Sequence, residues 1–342
     1  MNESLLAGIA LVLAGGLLNG SFVAPMKKLH GWQWEHGWLI YSVVGLVLAP
    51  WLVAAVTLPR LAPLVTEADA AALGRVLVFG FGWGVGSVLF GLGVNRMGLA
   101  LGYGLILGLI APIGTFLPLV VLSPERLYTR QGAHLVAGMI VVLAGIVLLA
   151  LAGRLREQFS PDFASRAALP AKSFLAGLVV CVLSGIFSPM LNFAFVFGEP
   201  LREAAIASGA SLDRAADGLW ALTLTAGFVP NAGYALYLLA RNRSGALWKQ
   251  EAPANLFWAS LMGVLCYASF VVYGAGASRL GRLGGIVGWP LFMSMSLIAS
   301  NSLGALTGEW KGAPPKAVRL SVLGILALIA AIVIIAIGGP AQ

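Results

Sequence analysis

The chain has 342 residues, of which 59% are hydrophobic and only 10% are charged, and its formal net charge is +8. A soluble domain carries about 25% charged residues, so this composition excludes a protein that is surrounded by water and indicates one that is solvated by lipid. The positive charge does not indicate a nucleic-acid-binding protein, because the sequence has no solvated basic domain that would carry such a surface.

Ten apolar stretches follow one another along the chain, and each is close to the roughly 20 residues that a helix needs to cross a bilayer. The first lacks a basic segment before it, so we interpret it as a span and not as a cleaved signal peptide. The sequence therefore predicts an all-α integral membrane protein with ten transmembrane helices, near residues 4–24, 36–57, 74–95, 99–122, 132–152, 172–197, 217–240, 254–277, 283–306 and 318–338.

Lysine and arginine are unevenly distributed among the loops between these spans. Odd-numbered loops hold 13 of them and even-numbered loops hold 8, which together account for all 21. Because cytoplasmic loops carry the excess of basic residues, the odd-numbered loops are predicted to be cytoplasmic. Both termini are then predicted to be periplasmic, in the inner (plasma) membrane of a bacterium.

A polar segment that carries two prolines divides the ten stretches into two groups of five. We therefore predict a first five-helix repeat at 1–153, a cytoplasmic linker at 154–171 and a second five-helix repeat at 172–342. Because five is an odd number, the second half must enter the membrane in the opposite sense. Two such halves form an inverted repeat, which is the architecture of many secondary transporters.

Span three is rich in glycine at alternating positions, Gly80, Gly82, Gly84 and Gly86. Small residues let helices approach closely in lipid, and these four cannot all face one neighbour. Two interpretations stay open, which are tight packing on several sides and a helix that lines a cavity. In the second, Trp83 and Tyr103 supply large aromatic groups on glycine-rich walls.

Uncharged polar side chains also lie inside the spans, and a buried amide must find hydrogen-bond partners either in a neighbouring helix or in a polar ligand. Aromatic faces and amides without a charged group at mid-depth suit a neutral polyhydroxylated ligand bound about halfway across the membrane. A phosphate or carboxylate ligand would instead require arginine or lysine there. The candidate substrate-binding residues are Trp83, Tyr103, Asn192, Asn231, Ser269 and Trp289.

The acidic residues avoid the middles of the spans. Glu35 lies just before span two, and Lys27 and Lys28 lie across the same short loop. Proton-coupled transport needs a group whose protonation responds to substrate or to access, so Glu35 is the candidate, with the two lysines as supporting charges. The alternative is a structural ion pair that holds the loop. Glu309 would serve equally as an interfacial anchor.

No catalytic or metal-binding motif is evident. The three histidines have no clear carboxylate or serine partner, and the chain contains no HExxH, GxSxG or phosphate loop. Cys181 and Cys266 lie inside apolar spans, where we interpret them as small buried hydrophobic residues. The sequence therefore predicts a transporter with no catalytic residue, metal or cofactor, and a membrane-embedded enzyme is kept as an alternative.

The stretch APMKK at 24–28, followed by WQWE at 32–35, resembles the segment after the first span of the L-rhamnose–proton symporters, a family of the drug/metabolite transporter superfamily. FGFGWGVG in span three, SGIFSPMLNFAF in span six, Asn231 and GEW at 308–310 fit the same pattern, so the resemblance covers nearly the whole chain. It implies a ten-helix inverted repeat and uptake of a 6-deoxyhexose driven by the proton gradient. It also implies that the first positions to test are Lys27, Lys28, Glu35, Trp83, Asn231 and Trp289.

Three departures from the family pattern lie where specificity or proton coupling could reside. Ser269 stands where glutamine is expected, Phe292 stands where histidine is expected, and LGGIVGW at the start of span nine lacks an acidic residue. We expect alternating-access symport of a neutral 6-deoxyhexose, with L-rhamnose first and L-fucose or a related sugar second. An exporter of another small metabolite is the alternative. The expected partners are the sugar, protons and the bilayer, for a monomer or weak dimer.

Overall fold

The computed structural model describes residues 3–61, 66, 69–97, 99–158 and 171–338, and every regular element in this part of the chain is helical. Its α-helices are α1 (Glu3–Ser21), α2 (Trp34–Val43), α3 (Ala49–Thr57), α4 (Ala70–Met97), α5 (Leu99–Leu122), α6 (Arg130–Glu157), α7 (Ala171–Phe187), α8 (Met190–Phe197), α9 (Glu199–Ala207), α10 (Asp217–Asn242), α11 (Ala252–Arg279), α12 (Gly284–Leu306) and α13 (Pro315–Gly338). Short 3-10 turns lie at Ala24–Lys28, Pro124–Tyr128, Ser244–Lys249 and Gly281–Leu283.

Within the described ranges, nine helical segments are long and apolar enough to cross a membrane. The surface also has the character that lipid requires, since Leu52 and Val56 are 68% and 79% exposed whereas Asn192 and Asn231 are fully buried. The chain is therefore an all-α, multi-pass integral membrane protein, which confirms the predicted fold class at this level.

The predicted seventh span corresponds to α10, which has 26 residues and is not one of those nine. Thr223, Thr225 and Asn231 lower its hydropathy. Ten transmembrane helices therefore stay a prediction. The predicted linker at 154–171 lies largely outside the described residues, because α6 ends at Glu157 and the description resumes at Ala171, and the boundaries of the two halves stay predictions too.

Two of the predicted spans are interrupted. The second contains a π-helical turn, Val44–Leu48, between α2 and α3. Proline has no N–H to donate, and Pro50 lies two residues after the end of this turn, so the local change in hydrogen bonding has an identifiable cause. The sixth predicted span divides at Pro189 into α7 and α8, and α9 follows after Gly198.

The helices pack in a defined set of pairs. α1 lies against α11 and α12, α4 lies against α7 and α10, and α6 lies against α13. α2 contacts both α10 and α11, while α5 contacts α6, α7 and α12. A continuous core therefore runs through the bundle, in which helices from early and late parts of the chain alternate.

Close contacts of α4 depend on its glycines. A Cβ atom at Gly80 or Gly84 would lie 2.2 or 2.4 Å from a backbone oxygen of α10, and one at Gly86 would lie 2.5 Å from the backbone nitrogen of Ser188. At Gly82 it would lie 2.1 Å from the sulfur of Met190. The alternating glycines therefore pack against α10 on one side and against the α7–α8 region on the other, as the tight-packing interpretation expects.

Inter-helix contacts define two ends of the bundle. The end that contains Lys27, Arg156, Ser244 and Glu309 is called the Lys27 end. The opposite end, which contains Thr57, Asp213, Asp217 and Arg279, is called the Asp217 end. The Lys27 end groups segments predicted to be cytoplasmic, and the Asp217 end groups segments predicted to be periplasmic.

Candidate functional site

A cavity of about 290 Å³ lies near the Lys27 end, between α1, α5, α6 and α12. Its walls are mostly apolar, with polar groups from Tyr103 on α5 and from Ser300 and Asn301 on α12. A small apolar space with a few convergent polar groups is the usual form of a site for a small molecule.

A charged cluster lines the same cavity on the side that faces the Lys27 end of the bundle. Glu309 forms ion pairs with Lys27 and, at 3.2 Å, with Arg156, whose guanidinium lies 5.1 Å from the ring centre of Trp310. Lys27 Nζ also donates to Thr307 Oγ1 at 2.9 Å. Partial burial would raise the pKa of Glu309, but the hydrogen bond and charge of Lys27, together with the charge of Arg156, hold that pKa below its usual value.

Glu35 does not belong to this cluster, although the sequence places it close to Lys27. Its side chain is only 2% exposed, and its Oε1 accepts hydrogen bonds from Asn242 Nδ2 at 3.0 Å and from Ser244 Oγ at 2.8 Å. Lys27 pairs with Glu309 instead, and Lys28 is exposed. Glu35 therefore connects the start of α2 to the end of α10, and the supporting role of the two lysines stays a prediction.

Asn231 lies in a buried network between α2, α4 and α10. Its Oδ1 accepts hydrogen bonds from Trp38 Nε1 at 3.0 Å and from Ser87 Oγ at 3.1 Å, while its Nδ2 donates to the carbonyl of Gly227 at 2.9 Å. Trp83 is partly buried beside this network, with its ring against Gly227. The structure thus brings two of the predicted site residues together.

Asn192 and Trp289 form a second group. Asn192 Nδ2 donates to the carbonyls of Gly114 at 3.0 Å and Gly285 at 2.9 Å, and its Oδ1 accepts from Tyr273 Oη at 2.7 Å. Trp289 Nε1 donates to the carbonyl of Ile110 at 3.2 Å. These contacts join α5, α8, α11 and α12, so the neighbouring helices meet the hydrogen-bonding needs of this amide.

An aromatic row connects the two groups across the core. Phe270 lies 5.9 Å from Trp83 and 6.5 Å from Phe292, and Phe292 stacks on Trp289 at 5.8 Å, all measured between ring centres. Ser269, next to Phe270, is buried and donates to the carbonyl of Cys266 at 2.6 Å. At mid-depth, packed aromatic side chains therefore occupy the region where the sequence predicts a sugar pocket, and Tyr103 is the predicted site residue that lines the described cavity.

Several residues of these arrangements were not among the predicted site residues. Trp38 and Ser87 bind Asn231, and Ser300, Asn301 and Arg156 line the cavity. A signal for Trp38 exists, because Trp34, Trp38 and Tyr41 follow one helical face at intervals of four and three residues. Arg156 has no comparable signal, since its partner Glu309 is 153 residues away.

No group of three or more histidine, cysteine, aspartate or glutamate side chains close enough to hold a metal ion occurs in the described part of the chain.

Known proteins match this chain over almost its whole length. The profile of the L-rhamnose-proton symport protein (RhaT) family matches residues 1–341. Relatives named L-rhamnose-proton symporter are 29% identical in Cronobacter sakazakii (strain ATCC BAA-894) and 28% identical in Shigella dysenteriae serotype 1 (strain Sd197) and Escherichia coli (strain 55989 / EAEC). Each alignment covers 99% of both chains. The chain therefore belongs to the L-rhamnose-proton symport protein family.

Proposed function

We propose that this protein imports L-rhamnose together with protons across the bacterial inner membrane. Membership of the symporter family over residues 1–341 is the observation that carries this proposal. The composition and the nine apolar helical segments within the described residues support a role in the membrane. The family is one of transporters and not of enzymes, so catalysis is no part of the proposed function.

The cavity near the Lys27 end is proposed as the entry to the sugar site. Its volume of about 290 Å³ lies at the lower end of the range of small-molecule pockets, roughly 300–1,000 Å³, which suits a monosaccharide better than a large ligand. Tyr103, Ser300 and Asn301 offer hydroxyl and amide groups, which can donate hydrogen bonds to sugar hydroxyls and also accept hydrogen bonds from them. At the mouth, the two cations Lys27 and Arg156 are already paired with Glu309.

The sugar is proposed to contact the deeper predicted residues along its path. These residues are Trp83, Asn192, Asn231, Ser269 and Trp289, which are packed against one another or against neighbouring helices in this conformation. Because their amides already have protein partners, a sugar would reach them only after the helices shift. That requirement fits alternating access, in which the site opens to one side of the membrane at a time.

The packing of the helices supports ten crossings in an inverted repeat. Suppose that each helix of the first half has a counterpart in the second: α1 and α7, α2 with α3 and α10, α4 and α11, α5 and α12, and α6 and α13. Replacing every helix by its counterpart then turns one observed packing contact into another. The contact of α1 with α11 becomes that of α7 with α4, and the contact of α1 with α12 becomes that of α7 with α5. The α6–α13, α2–α10 and α5–α12 contacts map onto themselves, as a pseudo-two-fold axis requires.

The ends of α10 support its role as the tenth spanning helix. Asp217, its first residue, is bonded to Thr57 at the Asp217 end, while Asn242, its last, is bonded to Glu35 at the Lys27 end. The helix therefore runs the same distance as its partner span, Trp34–Thr57. With the Lys27 end cytoplasmic, both termini are proposed to be periplasmic, and the protein is proposed to act as a monomer or weak dimer.

Glu35 is proposed as a proton-coupling residue. A buried carboxylate is costly to keep charged, so its protonation depends on its hydrogen bonds and on access to water. Both partners of Glu35 lie at or just after the end of α10, so a change in its protonation would change how α2 is held against α10.

Uptake of labelled L-rhamnose into proteoliposomes tests this function. With an inward proton gradient we expect accumulation above the external concentration, and with an ionophore that collapses the gradient we expect only equilibration. Unlabelled L-fucose serves as competitor, and stronger inhibition by L-fucose than by L-rhamnose would make the former the preferred substrate. Absence of L-rhamnose uptake by folded protein under either condition would contradict the proposal.

A further inference from the structure

Two carboxylates are buried in the described part of the chain, Glu35 at 2% exposure and Asp217 at 1%. Glu35 is the second residue of α2, and Asp217 is the first residue of α10. The helical segment that begins with α2 packs against α10, and the two begin at opposite ends of the bundle. Each acidic residue therefore occupies the first turn of one member of this helix pair.

The hydrogen bonds of the two carboxylates are reciprocal. Glu35 Oε1 accepts a hydrogen bond from Asn242, which is the last residue of α10. Asp217 Oδ2 accepts a hydrogen bond at 2.8 Å from the hydroxyl of Thr57, which is the last residue of α3. The acid at the start of each segment thus holds the end of the other. Residues 35 and 217 play equivalent parts at the Lys27 end and at the Asp217 end.

The surroundings of Asp217 compensate its charge only weakly. The nearest cation is Arg214, whose Nη1 lies 3.7 Å away and whose side chain is 46% exposed. Arg279, at the same end of the bundle, is bound to Asp213 at 2.7 Å. Tyr267 on α11 interacts electrostatically with Asp217, and its buried hydroxyl has no hydrogen-bond partner in the described structure. Glu309, by contrast, contacts two cations and is 39% exposed.

We propose that Asp217 is a second proton-coupling residue, the counterpart of Glu35 at the opposite end of the helix pair. The inference rests on the proposed function, since it assigns a role within proton symport. Desolvation penalises the charged form of a buried carboxylate, so a proton that reaches Asp217 from its end of the bundle is kept while the group stays buried and is released when water enters. Neutralisation weakens the bonds from Thr57 and Arg214, and the end of α3 is released from the start of α10. The reverse step, loss of the proton, restores both contacts.

The test compares D217N with D213N in proteoliposomes. Asparagine keeps the size and the acceptor oxygen of residue 217 but cannot titrate, whereas Asp213 lies four residues away in a partly exposed ion pair. We expect D217N to lose gradient-driven accumulation of L-rhamnose at least tenfold while sugar exchange without a gradient stays within about twofold of wild type. D213N should resemble wild type in both assays. Normal accumulation by D217N, or equal loss of accumulation and exchange in folded protein, would overturn the proposal.

A second variant covers the case in which D217N does not fold. T57V removes the hydroxyl that binds Asp217 but leaves the carboxylate in place. Loss of a donor to the charged form favours protonation, so the pH profile of gradient-driven uptake should shift to higher pH. An unchanged profile would contradict the role of Asp217. If the wild-type protein takes up no L-rhamnose, the proposed function itself fails and this inference falls with it, whereas normal wild-type uptake with an unaffected D217N removes Asp217 alone.

Discussion

At the scale of single residues, Trp83 is the partly buried aromatic side chain beside the Asn231 network. We expect W83A to abolish L-rhamnose binding while the protein still folds, because a sugar C–H face loses the ring on which it would stack. Thermal stabilisation by added L-rhamnose measures binding, and gel filtration checks folding. W258A, which removes a tryptophan from another part of the bundle, is the control. Wild-type affinity in W83A would exclude this ring as a sugar platform.

Glu35 gives a second prediction at this scale. Glutamine keeps an oxygen that can accept from Asn242 and Ser244, but it cannot bind or release a proton. We therefore expect E35Q to reduce gradient-driven uptake of L-rhamnose about tenfold or more and to leave exchange within about twofold of wild type. E251Q changes an acidic residue that is 62% exposed and does not line the cavity, and it serves as control. Equal losses of uptake and exchange in E35Q would indicate a structural role.

The ion cluster at Glu309 has a defined pH dependence. Because Lys27 and Arg156 lower the pKa of Glu309 in the folded protein, their stabilisation is fully present above the ordinary value of 4.5 and is lost as the pH falls through the lowered value. The side chains are partly exposed, so we expect no more than about 1 kcal/mol. Thermal unfolding between pH 3 and 7 should show this loss in wild type and not in E309Q; parallel curves would argue against it.

At the scale of helices, the glycines of α4 set how closely its neighbours approach. A Cβ at position 80 would lie 2.2 Å from a backbone oxygen of Thr223, whereas one at Gly91 in the same helix meets nothing within 4 Å. Overpacking costs roughly 1–3 kcal/mol, so G80A should unfold at a clearly lower temperature and G91A should not. Thermal unfolding of both variants in detergent measures this contrast, and equal stability would show that α4 and α10 separate easily.

The positions of helices could be predicted from sequence because the bilayer fixes the length of an apolar span. Which helices pack against one another could not be predicted, because those contacts join residues that are far apart in the chain. Lys27 lies near Glu35 in sequence but pairs with Glu309, 282 residues away. Asn192 was predicted as a site residue from its type and depth, but its three bonds to Gly114, Gly285 and Tyr273 became visible only in three dimensions.

At the scale of the whole molecule, the proposed inverted repeat would connect the two buried carboxylates to one movement. The pair formed by the Trp34–Thr57 segment and α10 maps onto itself when the halves are exchanged, so both ends of this pair are held by the same kind of contact. If release of one contact accompanies closure of the other, the sugar path would open at one end while it stays shut at the other. A rigid bundle with both contacts permanently formed could not transport.

The orientation of the molecule can be tested by cysteine labelling. Cys181 and Cys266 are both buried, so the native protein should react little with a membrane-impermeant maleimide. Tyr128, which is 92% exposed, lies in a loop predicted to be periplasmic, and Lys249 is exposed in a loop predicted to be cytoplasmic. In right-side-out vesicles we expect Y128C to be labelled at once and K249C only after the membrane is permeabilised. The opposite pattern would invert the molecule, place the Lys27 end in the periplasm and make the cavity an outward-facing entrance.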